Sequence, residues 1–255
     1  MEYKKKYLYI KPTHINSSFP LIILFFFTIQ CSYASNSIRL NTTGQPPLNS
    51  DNKNGFMDKV AQQAFAHINI QLATVQLPAE RGLINANSGL VDGEMSRING
   101  LTKSYPNLIS VPEKIMDWEF VAFSKKDINL NKGWASLANH SVALINGWKI
   151  LENNVPKSSD LVKVKNPTQL FTLLELNRTD IVLFEKWGGL ALIKKNKLKD
   201  IRLLSPILAK REMHIYLNKK HNKLINPLNK ALLEMKSNGQ YQNIYDKILS
   251  PLIKK

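Results

Sequence analysis

Charged side chains with the chemistry to grip a polar solute are concentrated between residues 80 and 97. Arg97 follows a short strand pattern that contains Glu94, and Arg81 lies in a helix pattern that opens at Pro78. A guanidinium can donate two parallel hydrogen bonds to a carboxylate or a phosphate. Glu94 can accept from a ligand amine or orient Arg97, while either arginine can form a surface ion pair instead, Arg81 with the adjacent Glu80. Arg81, Glu94 and Arg97 are therefore our first candidate ligand-binding residues.

Two tryptophans offer flat surfaces on which a solute can stack. Trp118 begins an extended segment, and Trp148 follows Gly147 at a strand-to-helix turn. Backbone N–H groups at the start of the helix after Gly147 are also suited to hold an anion. Packing in the core or at its rim is the alternative for both indoles. We predict Trp118, Gly147 and Trp148 as further ligand-binding residues, with Trp118 the better candidate of the two tryptophans.

The sequence lacks the patterns typical of catalytic and metal sites. The chain after residue 34 has no cysteine, no nucleophile elbow and no glycine-rich phosphate loop. Its four histidines are far apart and lack metal-ligand spacing: His67, His140, His214 and His221. We therefore expect that the protein is not an enzyme and holds no metal and no cofactor.

The first 34 residues have the pattern of a cleavable signal peptide. Three lysines at positions 4–6 precede an apolar run over 19–29, and Ser32 and Ala34 are small residues suited to a cut after Ala34. An uncleaved anchor is the alternative, but a membrane-spanning helix needs roughly 20 apolar residues. Lipidation at Cys31 is a further alternative, although the residue before it is not small. We predict a signal peptide over 1–34 and a periplasmic location.

Residues 35–255, which would remain after cleavage, carry a net charge of +13 and no cysteine over 221 residues. A chain of this length can bury an ordinary hydrophobic core, and it has no disulfide to add to that stability. The positive excess favours anionic partners or surfaces. However, the lysines fall in short runs, over 194–199 and 219–223, without interleaved aromatic residues. We therefore predict no nucleic-acid partner.

Strand and helix patterns alternate along the chain, which indicates the α/β class with mostly parallel sheets covered by helices. A first series predicts strands over 38–41, 70–77 and 91–95, with helices over 57–68 and 78–87. A second series predicts strands over 141–145, 161–164, 180–184 and 201–204, with helices after Gly147, from Pro167 and over 188–195.

Two extended segments, 118–124 and 213–218, lie where the chain would cross between these series, and we interpret them as paired hinge strands. In the tail we predict that Asn226 caps a helix with Pro227 at its first position. If this tail packs on the first series, lobe 1 consists of 35–120 and 216–255, and lobe 2 of 121–215.

Several segments together resemble the bacterial extracellular solute-binding proteins of family 3, which include the polar amino-acid receptors of ABC importers. The most telling is the closing stretch from Tyr216 to Tyr245, which contains KSNGQY at 236–241. GFMD at 55–58, LVDG at 90–93 and FVAFSKK at 120–126 also match. The resemblance covers nearly all of the chain after residue 34 and is that of a divergent member. It implies a two-lobed type 2 periplasmic-binding fold.

One departure from the family concerns ligand chemistry. The amino-acid receptors usually have an arginine for the ligand carboxylate about a dozen residues after the aspartate that here is Asp92, but the segment 101–106 has none. Arg97 is the nearest candidate, so the resemblance leaves open whether the amino-acid binding mode is retained. Glu185 falls where the family often keeps an acid for the ligand ammonium group, and a surface charge is its alternative role.

The resemblance implies a periplasmic receptor that closes around a small polar solute, amino-acid-like or an organic anion, and delivers it to a membrane ABC permease. One alternative is a ligand-sensing subunit that reports to a membrane signalling protein. A dehydratase that uses cleft carboxylates on the same fold is a further alternative, with Glu94 and Glu185 as its acids. We expect a monomer.

Overall fold

The computed structural model of the protein describes residues 37–253 and, before them, Glu2, Leu8 and Tyr9. The predicted signal peptide otherwise lies outside the described residues. Within the described part, no helix is both long and apolar enough to cross a membrane.

Ten strands and seven α-helices make up the described chain. The first nine elements are β1 (Ser37–Thr42), α1 (Phe56–Ala66), β2 (Gln71–Gln76), α2 (Ala79–Ser88), β3 (Gly93–Ile98), β4 (Leu108–Ser110), β5 (Met116–Ser124), β6 (Ser141–Ile145) and α3 (Lys149–Glu152). The remaining eight are β7 (Asp160–Val164), α4 (Pro167–Glu175), β8 (Ile181–Glu185), α5 (Lys186–Lys195), β9 (Arg202–Leu203), β10 (Ala209–Asn218), α6 (Ile225–Ser237) and α7 (Gln240–Ile248).

Eight of these strands form a curled sheet in the order β2-β1-β3-β10-β5-β8-β6-β7, and the two short strands β4 and β9 pair with β10 and β5. β1 pairs in parallel with β2 and β3, and β6 pairs in parallel with β7 and β8. Between these two parallel groups, β10 and β5 run antiparallel to each other and to their other neighbours. The predicted α/β class, with two parallel groups joined by a pair of central strands, is confirmed.

The two central strands have apolar side chains on both faces, because successive residues of a strand point to opposite sides. On β10, Ile215 and Leu217 pack against α1, α6 and α7, whereas Tyr216 packs with Leu83 of α2 on the other face. On β5, Phe120 and Ala122 belong to one core cluster, and Val121 and Phe123 belong to another with α4. The helices on both faces thus fix the strands whose ends carry the predicted site.

The start of α6 differs from the prediction. Asn226 does not cap this helix, because α6 begins at Ile225, directly after a 3-10 helix over Lys219–Leu224. Pro227 is therefore the third helical residue, where its missing N–H costs nothing because first-turn N–H groups have no intrahelical partner. Residues 35–255 form one compact unit, and the lobe boundaries stay a prediction.

Candidate functional site

Glu94 and Arg97, both on β3, form an ion pair. Both Nε and Nη2 of Arg97 lie 2.8 Å from Oε2 of Glu94. Nη2 also donates to the carbonyl oxygen of Ala79, at the start of α2, over 3.1 Å. The side chain of Arg97 is 14% exposed and that of Glu94 only 1%. The end of β3 and the start of α2 therefore hold the guanidinium in a partly buried position.

This geometry limits what Arg97 can offer to a ligand. A guanidinium forks a carboxylate either through Nε and Nη2 or through Nη1 and Nη2. In Arg97 the first pair faces Glu94, and Nη2 also serves Ala79. Among the described residues, only Nη1 has no partner. In this conformation Arg97 can therefore present a single nitrogen to a solute, rather than the two parallel bonds that the sequence suggested.

Asn41, on β1, holds the carboxylate of Glu94 from the other side. Its Nδ2 lies 2.9 and 3.1 Å from the two carboxylate oxygens, and its Oδ1 accepts from the backbone N–H of Leu77. Gly82 of α2 lies against the same place, since a Cβ on it would come within 1.9 Å of Asn41 Nδ2 and 2.6 Å of Glu94 Oε1. Only glycine allows α2 to approach this buried network so closely.

The ionisation of Glu94 reflects two opposing influences. Burial raises its pKa above the ordinary value, because a buried carboxylate loses hydration. The charge of Arg97 and the hydrogen bonds from Arg97 and Asn41 lower its pKa. The net shift is upward, so protonation of Glu94 would release Arg97 from its partner at a higher pH than for an exposed glutamate.

Trp118 lies on β5 opposite Arg211 of β10. Its half-buried ring packs against the core clusters of both parallel groups and makes an edge contact with Phe120 at a centroid distance of 6.4 Å. Its Nε1 is buried and has no hydrogen-bond partner within the described part of the chain. A buried indole N–H normally has a partner. Trp118 therefore keeps a buried donor without a partner among the described residues.

Trp148 packs within an aromatic cluster. Its ring stacks on Phe184 at 5.0 Å and meets Phe120 edge-on at 6.0 Å. The N–H of the preceding Gly147 donates to Glu152 over 3.0 Å, and α3 has only four residues. The N–H that could have held an anion at this turn thus already has a carboxylate partner from the same protein.

Glu185 ends β8 and caps α5. Its two oxygens accept from the backbone N–H groups of Trp187 at 2.9 Å and Gly188 at 2.8 Å. Burial raises the pKa of Glu185 to about 7, against the effect of these two hydrogen bonds. Its side chain therefore titrates near neutral pH even though it has a structural role as a helix cap.

A cluster of charges lies on the central strands and in the turn just before β5, and we call it the hinge charge cluster. Lys114 Nζ lies 2.9 Å from both Asp117 Oδ1 and Glu212 Oε1, and Lys210 Nζ lies 2.8 Å from Asp117 Oδ2. Glu212 and Asp117 are directly opposite in the register of β10 and β5. Lys114 therefore bridges two like charges, and the two lysines balance the two acids.

The sheet brings several predicted residues towards the central strands. Arg97 is opposite His214 on β10, and Trp118 is opposite Arg211 on the same strand. Three residues of strand separate these positions, or about 10 Å. Glu185 is opposite Phe120, two residues along β5 from Trp118. Arg81 is exposed on α2, and none of the described residues pairs with its side chain.

Three surface cavities lie away from these residues. The largest, about 580 Å³, lies between α1 and α7, and the other two, about 490 and 430 Å³, lie beside α4 and near Arg202. None of the three is lined by a predicted binding residue. Among the described residues, no cluster of three or more His, Cys, Asp or Glu side chains could hold a metal ion.

Solved structures share this arrangement of strands and helices. The ligand-binding core of GluR0 in complex with L-glutamate has a TM-score of 0.72 at 13% identity, over 85% of this chain and 99% of that one. An amino acid ABC transporter substrate-binding protein of Streptococcus pneumoniae, bound to L-arginine, has a TM-score of 0.66 at 16% identity, over 86% and 97%. This chain has the type 2 periplasmic-binding fold.

Further comparisons with known proteins show only distant similarity in sequence. A histidine kinase sensor domain with similarity to periplasmic binding proteins has a TM-score of 0.66 at 18% identity, over 84% of this chain and 96% of that one. An uncharacterized protein of Shewanella oneidensis is 26% identical over 244 residues, which cover 87% of this chain and 90% of that protein. No family model matches the chain. The resemblance to family 3 solute-binding proteins, as a divergent member, is thus confirmed for the fold.

Two polar residues beside the Glu94–Arg97 pair were not predicted from the sequence, namely Asn41 and Ser96. Asn41 is buried on β1 next to Glu94, and Ser96 lies between Glu94 and Arg97 with a buried Oγ that none of the described residues satisfies. β1 alternates polar and apolar residues up to Leu40, so Asn41 falls at a polar position and nothing in the pattern indicated that it is buried. Nothing in the sequence near Ser96 distinguishes it from an ordinary strand serine.

Proposed function

We propose that this protein is a periplasmic solute-binding protein that captures a small polar solute between two lobes and delivers it to a membrane ABC importer. The single observation that carries the proposal is the unpartnered Nε1–H of Trp118, buried on a central strand where the ring packs against both core groups. A donor left without a partner there is costly unless a ligand satisfies it. The solute is amino-acid-like or an organic anion.

The fold supports capture rather than chemistry. Binding proteins of this fold have two lobes joined by strands, and closure of such lobes around a solute buries its polar groups. β5 and β10 are the strands that join the two parallel groups here. With lobe 1 as 35–120 and 216–255, and lobe 2 as 121–215, Arg97 and Trp118 come from lobe 1 and Trp148 and Glu185 from lobe 2. A monomer suffices for this mechanism, because both lobes belong to one chain.

Calorimetry tests the proposal directly. The purified protein is titrated with amino acids, small peptides and organic acids, and we expect one class to bind with a dissociation constant in the micromolar range or below. Arg97→Ala and Arg97→Lys are expected to weaken binding at least tenfold. Arg178→Ala, at an exposed arginine on the loop after α4, is the matched control. Unchanged binding by folded Arg97 variants would remove Arg97 from the site, and no binding by any solute would remove the function.

A sensor is the second candidate function, and the similarity to a histidine kinase sensor domain favours it. Capture would be the same, but the closed protein would contact a membrane signalling protein instead of a permease. Cross-linking in cells, with and without the solute, separates the two. Recovery of a permease supports import, whereas recovery of a kinase or cyclase supports sensing. A dehydratase using Glu94 and Glu185 would instead form product from a carboxylic acid substrate, which a direct assay of the purified protein detects.

A further inference from the structure

We propose that the site selects a solute without net charge, and that Glu94 is the residue that sets this selectivity. The inference rests on the proposed function and deepens it, because it chooses between the amino-acid-like and the anionic solutes. Its basis is the contact of Glu94 with Arg97, in which one carboxylate oxygen takes both Nε and Nη2 at 2.8 Å. The arginine that would attract an anion is neutralised by its own protein.

The Glu94–Arg97 pair is held in place. Asn41 binds both oxygens of Glu94, and Gly82 packs against the amide of Asn41. Ala79 fixes the guanidinium through its carbonyl oxygen. The side chain of Glu94 is 1% exposed, so its carboxylate lies away from solvent and occupies the face of the guanidinium that a ligand carboxylate would need. An anion reaching Nη1 would therefore meet a neutral pair instead of a free cation.

Two other groups of charges near the central strands are balanced as well. The hinge charge cluster has two lysines and two acids. Beside it, Lys186 pairs with Glu119 at 2.6 Å. On the rim of α2, Glu80 and Arg81 are sequence neighbours of opposite charge, and Glu80 accepts from Tyr105. The cations of this region without an acid partner among the described residues include the exposed Arg81 and Arg211, whereas the partly buried Arg97 is paired.

The remaining polar groups suit an uncharged or zwitterionic solute. Trp118 Nε1–H is a donor without a partner, and Ser96 Oγ can donate or accept. His214, opposite Arg97 on β10, uses both ring nitrogens, one with the carbonyl oxygen of Val111 and one with the Asn99 amide. Groups of this kind satisfy amides, hydroxyls and balanced charges without supplying the counter-charge that a desolvated anion requires.

The test compares matched neutral and anionic probes on the whole protein. Calorimetry is run with L-glutamine and L-glutamate, L-asparagine and L-aspartate, succinamide and succinate, and inorganic phosphate, and mass spectrometry identifies any solute that co-purifies. For the wild type we expect the neutral member of each pair to bind at least tenfold more tightly than its anion, and any co-purified solute to be net neutral at pH 7. A net anionic solute, or tighter binding of the anionic members, overturns the inference.

The variant Glu94→Gln tests the inference through an expected gain in the binding of anions. Loss of the counter-charge frees Nε and Nη2 of Arg97, so we expect succinate or phosphate to bind at least tenfold more tightly than to the wild type. Glu94→Gln combined with Arg97→Gln should lose that gain, and Glu80→Gln is the matched control at an exposed acid. An unchanged neutral-to-anion ratio in folded Glu94→Gln contradicts the assignment of Glu94. If Glu94→Gln does not fold, the inference is decided by the ratio of neutral to anionic affinities measured for the wild type.

These outcomes keep the inference separate from the proposed function. If the wild type binds anionic solutes, solute capture stands and the selectivity is wrong. If no solute of any charge binds or co-purifies, the proposed function itself fails.

Discussion

Asn41 donates from one amide nitrogen to both carboxylate oxygens of Glu94, at 2.9 and 3.1 Å, although the two residues are 53 positions apart. The contact follows from the parallel pairing of β1 with β3, in which Asn41 lies directly opposite Glu94. Because both residues are buried, each depends on the other to satisfy its polar atoms. This relationship holds the carboxylate with which Arg97 pairs, and the pairing leaves Nη1 as the guanidinium nitrogen without a partner among the described residues.

Substitution of Gly82 tests how tightly this network is enclosed. Alanine in a helix interior is normally favoured over glycine by about 1 kcal/mol. Here the added Cβ would meet Asn41 Nδ2 at 1.9 Å, so we expect Gly82→Ala to lower the free energy of unfolding by about 2 kcal/mol. Urea denaturation measures this difference. Ile84→Ala, at an exposed position of the same helix, is the control and should change stability by less than about 0.5 kcal/mol. Equal stability of Gly82→Ala and wild type would mean that α2 can move away at little cost.

The sequence predicted the order of strands and helices well, because periodicity and local caps are properties of neighbouring residues. β6 has the predicted bounds, and Asn166 caps α4 through its side chain as expected. The Asn41–Glu94–Gly82 contact could not be predicted in this way. It depends on which strands become neighbours and on how closely α2 approaches them, and both are set by tertiary packing.

The prediction for the start of α6 was wrong because tertiary packing outweighed a local sequence signal. An Asn-Pro pair is a strong local signal for a helix start, and it succeeded at Asn166 and Pro167. At Asn226 and Pro227 the preceding 3-10 helix continues the winding of the chain, and Ile225 is buried in the core at the first helical position. Burial of an apolar residue therefore outweighed the local cap.

Lys114 is expected to stabilise the central strands by separating two acids. Its removal in Lys114→Met leaves Asp117 and Glu212 opposite each other on β5 and β10. We expect a loss of about 1 kcal/mol in the free energy of unfolding, since like charges on paired strands repel and this network is partly exposed. The loss should shrink in 1 M NaCl, where the Debye length is about 3 Å. Lys132→Met, at an exposed lysine with no side-chain partner among the described residues, is the control. A loss that is independent of salt would point to packing of the lysine stem instead.

Glu185 should make stability depend on pH between its unfolded and folded pKa values. The folded pKa is about 7 and the ordinary value is 4.5, so the folded state binds the proton more tightly. The stability that protonated Glu185 contributes to the folded state is complete below pH 4.5 and is lost as the pH rises to about 7. With about 1.4 kcal/mol for each pKa unit, the loss is about 3 kcal/mol.

Glu185→Gln isolates this effect, because the glutamine cannot titrate. The difference in unfolding free energy between wild type and variant, measured from pH 4.5 to 8, should change by about 3 kcal/mol in favour of the variant and then level off. Asp180→Asn is the control, because the pKa of that aspartate is lowered and its contribution is lost only at acid pH. A difference that stays constant from pH 4.5 to 8 would show that Glu185 titrates at its ordinary pKa.

Trp118→Phe separates the stability of the central strands from ligand binding. Phenylalanine retains most of the ring that packs against both core groups but removes the buried Nε1–H that has no partner among the described residues. Loss of an unsatisfied donor costs no hydrogen bond, so the free energy of unfolding without ligand should change by less than about 1 kcal/mol. If the N–H donates to the solute, the affinity should fall about tenfold, which corresponds to about 1.4 kcal/mol. Trp134→Phe, at another partly buried indole, is the control for calorimetry. A folded Trp118→Phe variant with wild-type affinity would show that the solute does not use this donor.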